Sequence, residues 1–277
     1  MNVIANLNRR GGPAAPKRVD TGAVSISATN LSLTFPSQDG GELLALNDVT
    51  VDIPRGQFVS LLGPSGCGKS TFLNIVAGLI QATAGQVDVN AAPVKGFNKA
   101  AGYMFQEDTL LPWASALTNV LLPLEIAGQK DDQEARRLLE LVGLKGFEGR
   151  KPSELSGGMR KRVQFARLLA QSPRLILMDE PFGALDALTK LVMQQEFLSI
   201  WERDPKTVLF VTHDPGEAIS LGDRILIFSK RPGRIVDDFL VPIGRPRHLP
   251  IKDSVYHDLY DKIVAQLLAS EEQDGPQ

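Results

Sequence analysis

Phe58-Val59-Ser60-Leu61-Leu62-Gly63-Pro64-Ser65-Gly66-Cys67-Gly68-Lys69-Ser70-Thr71 is the stretch that decides the fold. Its first five residues form a compact run, apolar on both sides, as a strand buried on both faces of a parallel sheet requires. Beyond the loop, Phe72, Ile75, Val76 and Leu79 recur at i, i+3, i+4 and i+7, which predicts one apolar face of a helix. Between strand and helix, Gly63-x-x-x-x-Gly68-Lys69-Ser70 matches the phosphate-loop pattern in the strand–loop–helix context that gives it meaning. Glycines let the backbone curl so that successive N–H groups converge on an anion, and the helix aims its positive end at the same point. The loop from Gly63 through Pro64, Ser65, Gly66, Cys67 and Gly68 is therefore expected to cradle ATP. Lys69 supplies a point charge to the β- and γ-phosphates, Ser70 a hydroxyl for Mg²⁺, and Thr71 a contact to the α-phosphate. Cys67 is assigned no chemistry of its own.

Working outward, Leu175-Ile176-Leu177-Met178-Asp179-Glu180 is a second buried strand with two carboxylates at its C-terminal end, where α/β sheets bind ligands. Asp179 can hold the Mg²⁺ shell, and Glu180 can polarise an attacking water as general base. Further parallel strands are expected at Val208 to Val211 and Ile225 to Phe228, giving an α/β core. Upstream, alternation in Val24-Ser25-Ile26, Leu31 to Phe35, Leu43 to Leu46 and Val49 to Ile53, with a turn at Asp39-Gly40-Gly41, predicts an antiparallel sheet. Between Gln106 and Pro173 the pattern is mostly helical. Glu134 to Val142 places Leu138, Leu141 and Val142 on one side before Gly143, and Gly157 to Ala170 forms another helix. The expected architecture is a P-loop NTPase (RecA-like) core with an antiparallel β subdomain and an inserted helical subdomain. Residues 1–23 read as a disordered tail, 24–240 as the ATPase domain with its helical subdomain at about 107–172, and 241–277 as a C-terminal extension ending in a disordered Glu-Glu-Gln-Asp-Gly-Pro-Gln.

Composition bounds the alternatives. The chain has 277 residues, 43% of them hydrophobic, enough for one or two domains at roughly 150 residues each. Lys+Arg 30 against Asp+Glu 32 leaves a net charge of −2, without the concentrated basic face that nucleic acid demands. One cysteine excludes an internal disulfide. No stretch approaches the roughly 18 consecutive apolar residues of a spanning helix. The N-terminus lacks the apolar core of a secretory signal, so any membrane role is expected to be peripheral.

Leu155-Ser156-Gly157-Gly158-Met159 supplies the remaining diagnostic element. Ser156 is a good N-cap, and two glycines expose N–H groups at a helix start, which makes a second anion site on one chain. One phosphate loop uses both sites only if they meet across a dimer. With this element the chain resembles the nucleotide-binding subunit of an ABC transporter from Val24 to Arg247. The resemblance implies that Ser156, Gly157, Gly158 and Met159 cap the γ-phosphate of ATP held by a second copy. It implies that Gln106 senses Mg²⁺ and the γ-phosphate, that Ala184-Leu185-Asp186 couples the two sites, and that His213 is a switch histidine on the γ-phosphate. His213 also follows a strand, Val208 to Thr212, and precedes Asp214-Pro215-Gly216-Glu217, a capping-box pattern with Pro at N1. Phe35 is the candidate for stacking on adenine, or else a strand residue packed in the β subdomain. His248 and His257 are expected at the surface.

Gln106-Glu107-Asp108-Thr109-Leu110-Leu111-Pro112-Trp113, Pro181-Phe182-Gly183-Ala184-Leu185-Asp186, Arg231-Pro232-Gly233-Arg234-Ile235 and Arg245-Pro246-Arg247 are similar to importers of the nitrate/sulfonate/taurine group. That resemblance implies integral-membrane permease partners, a separate solute-binding protein, and a peripheral position on the cytoplasmic face of the inner membrane. Trp113 is then either an anchor for the permease or a core residue. Lys161 departs from the family's usual glutamine, which puts contacts across the dimer in question. Rival readings are an exporter or lipoprotein-release cassette, a soluble ABC protein acting on nucleic acid or ribosomes, and a non-hydrolysing cassette. Lys69, Asp179, Glu180 and His213 together argue against the last.

Overall fold

The computed structural model describes residues 24–37, 40–183 and 185–272. The expected tail at 1–23, Asp39 of the first turn, Ala184 and the last five residues lie outside the described residues. Two sheets organise the chain. The first is antiparallel, in the order β2-β1-β4-β5, from β1 (Val24–Pro36), β2 (Glu42–Pro54), β4 (Ala84–Val89) and β5 (Ala92–Pro93). The four short strands expected here are two long ones. Register shifts between Ala28 and Leu31 and between Leu31 and Leu33 interrupt the alternation along β1, so one strand reads in sequence as two.

The second sheet has six strands in the order β10-β9-β3-β8-β7-β6: β3 (Phe58–Leu62), β6 (Ala101–Met104), β7 (Leu175–Asp179), β8 (Thr207–Val211), β9 (Arg224–Phe228) and β10 (Ile235–Leu240). All neighbours are parallel except β10, which runs antiparallel to β9. Every residue of β3, β7 and β8 is buried, as their uninterrupted apolar runs demand. Register aligns their C-terminal ends: Leu61 sits opposite Val211, Val211 opposite Asp179, and Met178 opposite Met104. The residues that follow these four strands are thereby delivered to one edge of the sheet.

One apolar cluster packs the antiparallel sheet and helix α1 (Lys69–Val76) against one face of the core, through Leu46, Leu61, Phe72 and Phe228. On the other face, α2 (Ala116–Ile126), α3 (Asp132–Leu141), α4 (Gly157–Ala170) and α5 (Ala187–Trp201) share a core with β7 and β8 through Phe165, Phe182, Phe197 and Phe210. Helix α1 stops at Val76, before Gly78 at φ 71, so Leu79 lies beyond it and is 47% exposed instead of extending the apolar face. Helix α6 (Pro215–Leu221) and α7 (Ser254–Glu272) close the end of the sheet around Leu62, Ile219 and Ile263. Helix α7 takes in Glu271 and Glu272, against the disorder expected of the chain from residue 271. Among the described residues no helix is long and apolar enough to cross a membrane.

Candidate functional site

The phosphate loop leaves β3 at Gly63 and enters α1 through Gly68, the N-cap residue, at φ 103. A Cβ on Gly68 would lie 2.6 Å from Leu46 Cδ2 and 3.0 Å from the Ala45 carbonyl, so the close passage of β2 beneath the loop adds to the conformational demand for glycine. The Lys69 ammonium is buried and donates to the Gly63 and Pro64 carbonyls at 2.7 Å each, with the Cys67 sulfur at 3.4 Å. Cys67 is itself buried against the antiparallel sheet. Ser70 Oγ donates to Asp179 Oδ1 at 2.9 Å, which joins the start of α1 to the end of β7. Burial pushes the Asp179 carboxyl above the usual aspartate range, and the neighbouring Glu180 acts in the same direction. The Ser70 hydrogen bond and Lys69 oppose them without prevailing.

Glu180 turns out of β7 at φ 43, in the left-handed region that non-glycine residues rarely occupy, with its N–H held by the Val211 carbonyl at 3.1 Å. That turn points its carboxylate at two neighbours. His213 Nδ1 lies 3.2 Å from Oε2, and Gln106 Nε2 donates to the same oxygen at 3.4 Å. Gln106 follows β6, Glu180 follows β7 and His213 follows β8, so the parallel register alone assembles this trio beside the phosphate loop. Behind His213, Asp214 caps α6 through the N–H groups of Gly216 and Glu217. The reciprocal half of the expected capping box is not made. The Glu217 carboxylate instead accepts from Thr212 Oγ1 and pairs with Lys190 Nζ at 2.6 Å. Lys190 also reaches Asp214 at 3.0 Å. Burial alone would raise the Asp214 carboxyl, but Lys190 and the capping N–H groups outweigh it and hold it below the usual range.

The helix cap expected at Ser156 is made. Ser156 Oγ accepts from the Met159 N–H at 3.2 Å, capping α4, and Asp186 caps α5 by accepting from the Thr189 N–H at 3.1 Å. Ser156, Gly158, Met159, Leu185, Asp186 and Thr189 line one open cavity of about 390 Å³. No phosphate-loop residue lines it, and neither do Gln106, Glu180 or His213. The phosphate loop and the cavity at the α4 tip are thus separate on one chain.

Phe35 is half-buried near the end of β1 and packs on the apolar cluster under α1. Trp113 is 72% exposed, which excludes the core alternative. Leu79, Phe97, Phe105, Pro123, Ile126 and Arg167 help line an apolar groove of about 260 Å³ between α2 and the β6 edge. His248 and His257 are exposed.

Lys161, whose departure from glutamine puts dimer contacts in question, points into its own chain. It is buried within its own chain, donating to the Gln106 and Phe105 carbonyls at 2.7 and 3.2 Å, and so is not placed for contacts across a dimer. Arg231 is a neighbour the sequence did not assign to the site. Its Nε and Nη2 donate to the Gly66 carbonyl at 3.3 and 3.2 Å. The only sequence signal was the Arg-Pro-Gly-Arg string, whose spatial partner is 165 residues away.

As to metal, no group of three or more His, Cys, Asp or Glu side chains that could hold an ion occurs among the described residues. The Ser70 hydroxyl and Asp179 carboxylate, joined at 2.9 Å, are the hard oxygen donors that Mg²⁺ takes when phosphates and water complete its shell.

Residues 46–183 match the ABC transporter family model. An uncharacterised ABC transporter ATP-binding protein of Methanocaldococcus jannaschii is 40% identical over 258 residues, covering 92% of this chain and 95% of that protein. A taurine import ATP-binding protein of Rhizobium johnstonii is 46% identical over 217 residues, covering 77% and 83%. Among solved structures, the dimeric post-hydrolysis state of an ATP-binding cassette bound to ADP and Pi superposes with a TM-score of 0.71 at 33% identity, covering 79% of this chain and all of that one.

Proposed function

The chain belongs to the ABC transporter family as an ATP-binding, ATP-hydrolysing subunit, and we propose that it energises an importer of a small solute, of the nitrate, sulfonate or taurine class. The observation that carries this reading is the pair of separate cradles on one chain. The phosphate loop with Glu180 forms one, and the Ser156 cap of α4 beside Asp186 forms the other. Two copies arranged head to tail would close each loop with the other copy's α4 tip. The dimeric cassette structures and the taurine import relatives support the arrangement and the direction of transport. In this reading residues 24–240 are the ATPase domain, with a helical subdomain at about 107–172 and an extension at 241–277.

The chemistry follows from the placement of side chains. Lys69 and the N–H groups of Gly66, Gly68 and Ser70 hold the phosphates. Ser70, Asp179 and Gln106 would hold Mg²⁺, which when bound neutralises charge on the β- and γ-phosphates. Glu180 accepts the proton of the attacking water, while His213 and Gln106, both at its Oε2, fix its direction. Phe35 offers a half-exposed ring to adenine. The apolar groove at Phe97, Phe105 and Ile126, together with the exposed Trp113, would seat a permease helix and hold the protein at the inner membrane.

The test is reconstitution in vesicles with the permease and solute-binding protein, measuring uptake of taurine, an aliphatic sulfonate and nitrate. Glu180→Gln is expected to lower ATP turnover by about 10²–10⁴-fold and to stop uptake. Full turnover in Glu180→Gln would refute the assigned chemistry; outward transport would refute the importer.

A further inference from the structure

Arg160, Lys161, Gln164 and Arg167 lie on one side of α4, and all four grip the segment at 105–109 that follows β6. Arg160 Nε pairs with Asp108 Oδ2 at 2.7 Å. Gln164 Nε2 donates to Asp108 Oδ1 at 2.9 Å. Arg167 donates to the Thr109 carbonyl and hydroxyl at 2.8 and 2.6 Å. Lys161 and Gln164 are the two buried members of the four. The Lys161 ammonium has three acceptors: the Gln106 carbonyl at 2.7 Å, the Phe105 carbonyl at 3.2 Å and Gln164 Oε1 at 3.3 Å. Among the described residues no carboxylate makes an ion pair with it. A buried ammonium without a paired carboxylate relies on those carbonyls, so the contact is directional and costly to break.

We infer that Lys161 is a positioning residue that fixes Gln106 from behind and ties it to the tip of α4. The peptide planes of Phe105 and Gln106 are set by carbonyls pointing at Lys161, and the Cα–Cβ direction of Gln106 toward Glu180 follows from that setting. Ser156 caps the same helix five residues earlier. The side chain that meets the γ-phosphate in one cradle and the cap that closes the partner's cradle therefore belong to one body, and of the four side chains that join them Lys161 is the one that holds the Gln106 backbone itself. Glutamine at this place has two donors on a shorter stem; lysine has three that reach both carbonyls and Gln164 together. The inference rests on the two-cradle reading above.

The experiment is a double-mutant cycle on ATP turnover, with Glu180→Gln as the control for chemistry. Lys161→Met keeps the apolar stem and removes the donors. It is expected to lower kcat about tenfold while leaving affinity for a fluorescent ATP analogue within about twofold, because the phosphate loop is untouched. In a Gln106→Ala background the same change is expected to alter kcat by less than about twofold, because the group it positions is gone. Lys161→Gln is expected to fall between Lys161→Met and the unsubstituted protein. Equal losses in both backgrounds, unchanged turnover, or weakened analogue binding would overturn the inference. Should Lys161→Met fail to fold, Lys161→Gln carried through the same cycle decides. Undiminished turnover in Glu180→Gln sinks the two-cradle reading itself. An inert Glu180→Gln with additive Lys161 and Gln106 losses sinks only the latch.

Discussion

Ser156→Asp separates the two jobs of one residue. Ser156 is exposed, caps α4 with extended backbone at φ −64 and ψ 162, and accepts from the Met159 N–H at 3.2 Å. Aspartate caps a helix as well as serine does, and a negative charge at the first turn adds about 0.3–1 kcal/mol. The isolated subunit should therefore be at least as stable as before. In the closed dimer the new carboxylate faces the partner's γ-phosphate. At a separation of about 4 Å and an effective dielectric of about 20, one pair of like unit charges repels by about 4 kcal/mol. Each interface should weaken by about 10³-fold on that figure alone. The assay has three parts: thermal unfolding of the subunit, binding of a fluorescent ATP analogue, and ATP-driven dimerisation by light scattering in a Glu180→Gln background. The expected outcome is an unchanged or raised midpoint, unchanged analogue binding, no dimer and no turnover without the second substitution. Retained dimerisation would refute the placement of a phosphate at the α4 tip. Lost analogue binding would show that both cradles act on one nucleotide within a single chain. Ser156→Ala is the contrast, since it loses the cap, worth about 1 kcal/mol, without adding a charge.

Asp179→Asn should raise the midpoint of nucleotide-free protein at neutral pH while abolishing Mg²⁺-dependent turnover, because burial makes the charged aspartate unfavourable in the fold. The sign follows from an acid whose folded pKa is raised: the cost is present once both states are ionised and disappears below about pH 4, where aspartate is protonated folded or unfolded. A midpoint difference that persists at pH 3 would contradict burial of charge as its cause. Gly233→Ala should reach the phosphate loop from outside it. A Cβ there would lie 2.0 Å from the Cys67 carbonyl, a backbone atom, while the Gly233 N–H holds Ala45 O at 2.9 Å. Urea unfolding should show a loss of about 1–3 kcal/mol, accompanied by weaker analogue binding; undisturbed binding would mean that the loop does not depend on this support.

The phosphate loop, the two acidic residues at the end of β7 and the α4 cap were legible because each is a local string whose physics needs only its neighbours. A glycine turn between a buried strand and a helix, or a serine before two glycines, carries its own explanation. The length of α4 from Gly157 to Ala170 and the buried runs of β3, β7 and β8 were legible for the same reason. What failed locally failed where competition came from afar. The capping box at Asp214 lost its glutamate to Thr212 and Lys190, and β1 was split in the reading by bulges that pairing with β2 imposes.

Which chemical groups this protein owns, and at which ends of which elements they stand, is written along the chain. Which of them meet is settled by folding in three dimensions. Parallel register, a property of hydrogen bonding between strands far apart in the chain, put Gln106, Glu180 and His213 around one carboxylate oxygen. Burial turned Lys161 inward to its own chain, and the packing of Gly233 under Cys67 brought Arg231 onto the phosphate loop. These contacts depend on how non-local surfaces close-pack, which no spacing along the chain encodes.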